Sequence, residues 1–202
     1  MCSCSDTGTP RIGMYGGAFD PPHLAHVALA RAAVRECGLT RLLVVPTGAA
    51  GHKARPLSAA RHRLAMSRLA FGALPRCVVD KRELRRRGVS YTIDTLRELQ
   101  ALHPCAQLYL LVGADQAALL HTWREAQAIC QMAHIVIAAR AGVQEALPEL
   151  LQTARVQHLA LPATAHSSTQ VRQQAAQGQP LDALVPPAVA RYIARHRLYQ
   201  PK

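Results

Sequence analysis

Short unbroken apolar runs alternate along this chain with longer stretches whose apolar positions recur every three or four residues. The first pattern predicts strands buried on both faces, and the second predicts helices packed against them. Strands are expected at 11–15 (RIGMY), 42–46 (LLVVP), 77–80 (CVVD), 108–112 (LYLLV), 135–139 (IVIAA) and 156–161 (VQHLAL). Helices are expected at 23–37, closed by Gly38, and at 58–71, capped by Ser58. Another should start at Ser90 or Thr92 and run to 102, with helical stretches around 117–120 and 123–133. The last two span 166–178, ended by Gly178, and 186–196, opened by proline. Residues 47–57 and the Arg-rich segment 81–90 read as loops.

Strand–helix alternation of this kind predicts an α/β fold: a Rossmann-like, doubly wound parallel sheet in a single domain. Residues 1–10 are expected to be a flexible tail and 11–202 the domain. Ligands of such sheets bind at the carboxyl ends of the strands, so the loops after Tyr15, Val45, Val112, Ala139 and Leu161 are the ones to search.

Composition narrows the picture. Half of the 202 residues are hydrophobic and 18% are charged, which supplies a core and excludes bulk disorder. Twenty-four Lys and Arg against 12 Asp and Glu favour anionic partners. The N-terminus has no apolar stretch of a secretory signal, and no apolar run approaches the length of about eighteen residues that a membrane span needs. The six cysteines, Cys2, Cys4, Cys37, Cys77, Cys105 and Cys130, form no CxxC pair and read as free thiols. A cytoplasmic protein is expected.

Two segments carry chemistry. In GGAFDPPHLAH (16–26), Gly16-Gly17 permits close backbone approach of a ligand, and His23 and His26 share one face of the first helical turn. Free N–H groups at that helix start attract phosphate, and two imidazoles add to the attraction. In HSSTQVR (166–172), Ser168 and Thr169 sit at a helix start with Arg172 one turn further on, a second anion cradle. A polyphosphate held between the two is the natural ligand, and Lys53 in the loop GHKARP could swing over it.

GGAFDPPHLAH together with HSSTQVR resembles the HxGH-type nucleotidylyltransferases. GHKARP, ELRRRGVSYTIDTL and LLVGADQAALLHTWREAQAI make the chain similar, within that superfamily, to the bacterial nicotinate-nucleotide adenylyltransferases. The chain departs from the pattern at Ala18 (usually Thr), Ala25 (Gly), Gly51 (Pro) and His166 (Ile).

The resemblance implies transfer of the adenylyl group of ATP to nicotinate mononucleotide, giving deamido-NAD and pyrophosphate. It implies that His23, His26, Arg172 and Lys53 are catalytic. ATP would be bound by Gly16, Gly17, Phe19, His23, His26, Gly113, Asp115, Ser168, Thr169 and Arg172. Nicotinate mononucleotide would be bound by Gly17, Ala18, Lys53, Thr92, Trp123 and Arg124. Mg²⁺ would be carried by the ATP phosphates, with no metal cage of the protein's own. From the residues alone, Asp115 could equally cap a helix and Trp123 could be a plain core residue. Nicotinamide mononucleotide or phosphopantetheine remains open as acceptor, as does nucleic-acid binding through KRELRRR, although no aromatic stacking platform accompanies it. Monomer and homodimer are equally open.

Overall fold

The computed structural model describes residues 8–48, 57–140, 148–161 and 166–200, so Lys53 and the rest of GHKARP lie outside the described residues. The chain runs β1 (Arg11–Gly17), α1 (Leu24–Glu36), β2 (Arg41–Pro46), α2 (Ala60–Phe71), β3 (Cys77–Val79), α3 (Arg82–Arg85) and α4 (Thr92–Leu102). It continues with β4 (Gln107–Gly113), α5 (Ala114–Ala118), a 3₁₀ turn (Leu120–Thr122), α6 (Ala126–Met132) and β5 (Ala133–Arg140). The last elements are α7 (Glu149–Gln152), β6 (Val156–Leu161), α8 (Ser168–Ala176) and α9 (Pro187–Arg195).

All six strands are parallel, in the order β3-β2-β1-β4-β5-β6. Their period-2 side chains fill two cores. Tyr15, Leu42, Val44, Tyr109, Leu111 and Val136 face α1, α2, α8 and α9, packing on Leu29, Ala33, Met66, Phe71, Val171 and Ile193. Ile12, Met14, Leu43, Val45, Leu110 and Ile135 face the other way, onto Ile93, Leu96, Leu99 and Ile129 of α4 and α6. Strand order reverses between β1 and β4, which opens a crevice at their carboxyl ends.

The expected strands and main helices form, with four local differences. Ser58 does not cap α2; Ala59 occupies that position, and the Ser58 backbone is used elsewhere, as described below. The Arg-rich segment contains the one-turn helix α3 instead of being loop throughout, because Glu83 turns inward and accepts from Thr95 Oγ1 at 2.9 Å. Arg82 pairs with Asp80 at 2.7 Å, and Arg86 pairs with Glu98. The helix expected at 123–133 starts only at Ala126, since Glu125 adopts a left-handed conformation (φ 53°) while its carboxylate pairs with Arg97 at 2.6 Å. The segment 117–120 likewise resolves into the end of α5 and the 3₁₀ turn. At the N-terminus, the Pro10 carbonyl already accepts from the Gln107 N–H at 2.8 Å; the expectation for 1–7 lies outside the described residues.

Two glycines test the packing. A Cβ on Gly13, in mid-β1, would lie 2.7 and 2.8 Å from the buried Leu39 and Leu42 methyls, whereas one on Gly113 meets nothing within 4 Å. Gly13→Ala is expected to destabilise by about 1–3 kcal/mol in urea denaturation. Gly113→Ala should stay within about 0.5 kcal/mol of wild type. Equal effects would contradict the packing described.

Candidate active site

β1 ends at Gly17, and the chain turns through Ala18 and Phe19, with the Asp20–Pro21 peptide cis, before α1 begins. Phe19 takes a left-handed conformation (φ 46°), which drops its ring into the core against Tyr15 (5.3 Å) and Phe71 (5.4 Å). A Cβ on Gly17 would meet that ring at 3.0–3.2 Å. Gly17 therefore also makes room for the Phe19 ring, whereas a Cβ on Gly16 would make only ordinary contact with Met14 at 3.6 Å and one on Gly113 would meet nothing within 4 Å.

His23 is the N-cap of α1. Its backbone N–H donates to His26 Nδ1 at 3.1 Å, which places the His26 proton on Nε2. The two rings stack at 3.6 Å, and Phe19 meets the His26 ring edge-on at 5.3 Å. His23 is 7% exposed, and its Nδ1 has no hydrogen-bond partner among the described residues. Burial, and secondarily the nearby His166, lowers the His23 pKa to about 4; burial and then His23 hold His26 well below its ordinary value. Both imidazoles are thus neutral at pH 7, and each carries a single N–H donor. His166 stands where the resembled pattern has Ile, so a position that reads as a mere departure brings a third imidazole within electrostatic reach of His23, its own Nδ1 buried and without a hydrogen-bond partner among the described residues.

The second cradle is locked to the first. Ser167 caps α8 by accepting from the Gln170 N–H at 3.1 Å. Ser168 Oγ donates to the Pro21 carbonyl at 2.8 Å, so what it offers a phosphate is its backbone N–H. Arg172 donates to the Asp20 carbonyl at 2.9 Å and to Thr169 Oγ1 at 3.0 Å; Thr169 keeps its own hydroxyl proton for a ligand. The expected pairing of GGAFDPPHLAH with HSSTQVR is therefore a direct contact.

Three residues of this assembly were not singled out from sequence. Asp20, 1% exposed, accepts on its carboxylate from the Ser58 N–H (3.1 Å) and the Tyr199 hydroxyl (2.7 Å). Arg63, 3% exposed, donates to the carbonyls of Ala18 (3.1 Å), Thr47 (2.7 Å) and Ser58 (3.0 Å), tying the first loop to both flanks of the segment containing Lys53. Burial lowers the Arg63 pKa and Asp20 opposes the shift. Arg63 lies three and seven residues before the buried Met66 and Ala70, so helical phase marks it as inward-facing. Tyr199, 179 positions from Asp20, leaves no comparable signal.

The remaining residues form a second group. Thr92 opens α4, and its N-cap, Tyr91, lies under the Arg124 guanidinium at 4.7 Å. Trp123 and Tyr91 both pack against the core on the α4 side of the sheet. Asp115 is exposed in the first turn of α5, with no hydrogen bond or ion pair to a described residue, and the cap position is taken by Gly113. Gly48 lies so close to α3 that a Cβ would come within 2.3 Å of the Glu83 carbonyl, which anchors the start of the Lys53 segment beside Ser90. Ala25, in place of the family Gly, sits half-buried inside the first turn of α1.

Residues 14–174 match the model of the cytidylyltransferase-like family. A protein of Albidiferax ferrireducens named "Probable nicotinate-nucleotide adenylyltransferase" is 51% identical over 195 residues, covering 94% of this chain and 98% of that protein. One of the same name from Chromobacterium violaceum is 38% identical over 209 residues, covering 94% and 99%. The fold is similar to Plasmodium falciparum nicotinic acid mononucleotide adenylyltransferase complexed with NaAD, with a TM-score of 0.79, 20% identity and coverage of 94% of this chain and 97% of that one.

The depressed histidine pKa values have a stability signature. Between the ordinary value near 6.5 and about 4, the unfolded chain binds protons that folded His23 refuses. Stability is therefore complete above pH 6.5 and declines as pH falls through that window. Urea midpoints measured from pH 7 to pH 4 should fall more steeply for wild type than for His23→Asn; parallel curves would contradict the neutral, buried imidazole.

Proposed function

We infer the chemistry from one premise: this chain belongs to the cytidylyltransferase-like family and, within it, to the nicotinate-nucleotide adenylyltransferases. It transfers the adenylyl group of ATP to nicotinate mononucleotide, forming nicotinate adenine dinucleotide and pyrophosphate. The assignment of roles rests above all on one observation, the bonding of Ser168 and Arg172 to the Pro21 and Asp20 carbonyls beside the His23–His26 pair.

The acceptor phosphate has a second pKa of about 6 and is largely dianionic at pH 7, so it attacks without a general base. Its oxygen bonds to the α-phosphorus in line, the bond to the bridging oxygen breaks, and pyrophosphate leaves with the electron pair. What the protein supplies is alignment and charge stabilisation. His26 Nε2–H and the His23 ring donate to phosphoryl oxygens, and the arriving negative charge raises both imidazole pKa values toward protonation. Arg172, the Ser168 N–H and the Thr169 hydroxyl hold the departing β- and γ-phosphates, with Lys53 assigned there by resemblance. Gly16, Gly17 and Gly113 let the nucleotide approach the strand ends, Phe19 backs the His26 ring, and Asp115 takes a ribose hydroxyl.

Trp123 stacks on the pyridine ring of the acceptor, whose phosphate runs past Gly17 and Ala18 toward Lys53. The N–H groups opening α4 at Thr92, with Arg124, receive its carboxylate. An array of donors suits the acid and matches poorly a carboxamide, whose NH₂ is itself a donor. ATP enters as its Mg²⁺ complex; among the described residues no group of three His, Cys, Asp or Glu side chains converges to hold a metal, so none is assigned to it. The reaction is placed in the cytoplasm, in keeping with the free thiols of Cys37, Cys77 and Cys130. Ion pairing of Arg82 and Arg86 weighs against reading KRELRRR as a nucleic-acid surface.

Pyrophosphate release from MgATP should be rapid with nicotinate mononucleotide and at least tenfold slower with nicotinamide mononucleotide or phosphopantetheine. His26→Ala should lower kcat by about 10²–10³-fold, the range for losing one transition-state donor. Trp123→Ala should raise the KM for the acceptor about tenfold, the loss expected of one aromatic stack, with that for ATP unchanged. Faster release with another acceptor would overturn the roles of Thr92, Trp123 and Arg124 while leaving the ATP site intact.

A further inference from the structure

Beyond its packing on the core, the turn after α9 makes a polar contact with the loop after β1. After α9, Arg197 (φ 46°) and Tyr199 (φ 67°) both adopt left-handed conformations, each unfavourable for a residue with a side chain. Terminal residues ordinarily fray unless something ties them down. Here Leu198 packs against the core, and Tyr199, half-buried, reaches the phosphate-binding loop, where its hydroxyl donates to Asp20 Oδ1 at 2.7 Å.

Asp20 is bonded at two places at once. Its carboxylate takes the Tyr199 hydroxyl and the Ser58 N–H, and its own carbonyl takes the Arg172 guanidinium at 2.9 Å. One further residue along, the Pro21 carbonyl takes Ser168 Oγ at 2.8 Å, and His23 follows two residues later. A shift of the Asp20 backbone that pulls its side chain from these donors would also move the carbonyl that Arg172 grips. Burial leaves the carboxylate no water to replace a lost donor. The groups facing this carboxylate from the surrounding elements are Arg63 of α2, Arg172 of α8 and Tyr199 itself.

We propose that Tyr199 is a positioning residue for adenylyl transfer: its hydroxyl fixes Asp20, and Asp20 in turn fixes the Arg172 guanidinium that binds the departing pyrophosphate. The proposal rests on the adenylyltransferase reading of the site, and it extends the machinery to residue 199, beyond both phosphate motifs. Tyr199 touches neither substrate nor reacting atoms; it acts through Asp20. Since Arg172 grips the leaving group, mispositioning should weaken turnover and pyrophosphate binding and spare the acceptor side of the site.

The test uses the full-length protein and the variants Tyr199→Phe, Leu198→Ala, Arg172→Ala and Tyr199→Phe/Arg172→Ala. Tyr199→Phe removes one oxygen and should lower kcat at least tenfold, with the KM for nicotinate mononucleotide within twofold of wild type. Leu198→Ala removes a neighbouring core contact without touching Asp20; it should lower the melting temperature at least as much yet keep kcat within twofold. Titration with inorganic pyrophosphate and Mg²⁺ should show at least fivefold weaker binding in Tyr199→Phe, and no further weakening when that change is added to Arg172→Ala. Unchanged kcat and pyrophosphate affinity in Tyr199→Phe would overturn the proposal. So would a kcat loss matched by Leu198→Ala, or additive losses in the double variant. If wild type releases no pyrophosphate with nicotinate mononucleotide, the functional reading fails, and the pyrophosphate titration decides the role of Tyr199 independently.

Discussion

A carboxylate buried to 1% exposure must collect donors from wherever the fold can bring them, and Asp20 collects them from two segments far apart in the chain. Ser58 comes from the start of α2 and Tyr199 from the turn after α9, while Arg63 lends a buried positive charge nearby and ties down the adjacent carbonyls of Ala18, Thr47 and Ser58. The loop after β1 and the start of α8 both hang from this point. Asp20 lies between Phe19, whose ring backs His26, and the two prolines that lead into the His23 cap. Its carbonyl holds Arg172, so the loop after β1 and the helix after β6 move as one unit.

The electrostatics follow from the same compactness. Stacking two histidines at 3.6 Å over a phenylalanine, with a third imidazole nearby, keeps them uncharged while no ligand is bound. Positive charge is held instead by Arg172 and Arg63, which cannot be deprotonated at working pH. The resting site thus presents fixed N–H donors and a guanidinium, and becomes more positive only when a polyphosphate arrives to offset the charge. That suits a reaction whose nucleophile is already ionised and whose leaving group is a strong anion, since stabilisation appears where charge accumulates.

The group of residues proposed to receive the acceptor is built differently. Tyr91, Thr92, Trp123 and Arg124 come from the ends of short elements and not from one motif, and their proximity depends on α4 and α6 packing on the same face of the sheet. Glu125, held left-handed beside Arg97, sets the direction in which the chain leaves Trp123 and Arg124. The Gly48–Glu83 contact shows the same dependence on neighbours: a glycine whose necessity lies in the carbonyl pressed against it, thirty-five residues further along.

Local pattern sufficed for the strands, the principal helices and the two loops that meet around Asp20, because each is written in residues close together: period-2 apolar runs, helical phase, Gly38 and Gly178 at helix ends, and His23 three positions before His26. It misread what depends on distant partners. Ser58 looks like a cap but is spent on Asp20 and Arg63; KRELRRR looks like a solvated basic loop, but Glu83, Thr95, Asp80 and Glu98 fold it into a helical turn. Gly17 looks like a concession to ligand approach alone, yet a Cβ there would also crowd the Phe19 ring at 3.0–3.2 Å. Residue spacing carries the periodicity of backbone hydrogen bonding, which acts over a few positions. The pairing of buried charge, as between Asp20 and Tyr199, is settled only when the sheet has brought the two ends of the chain together.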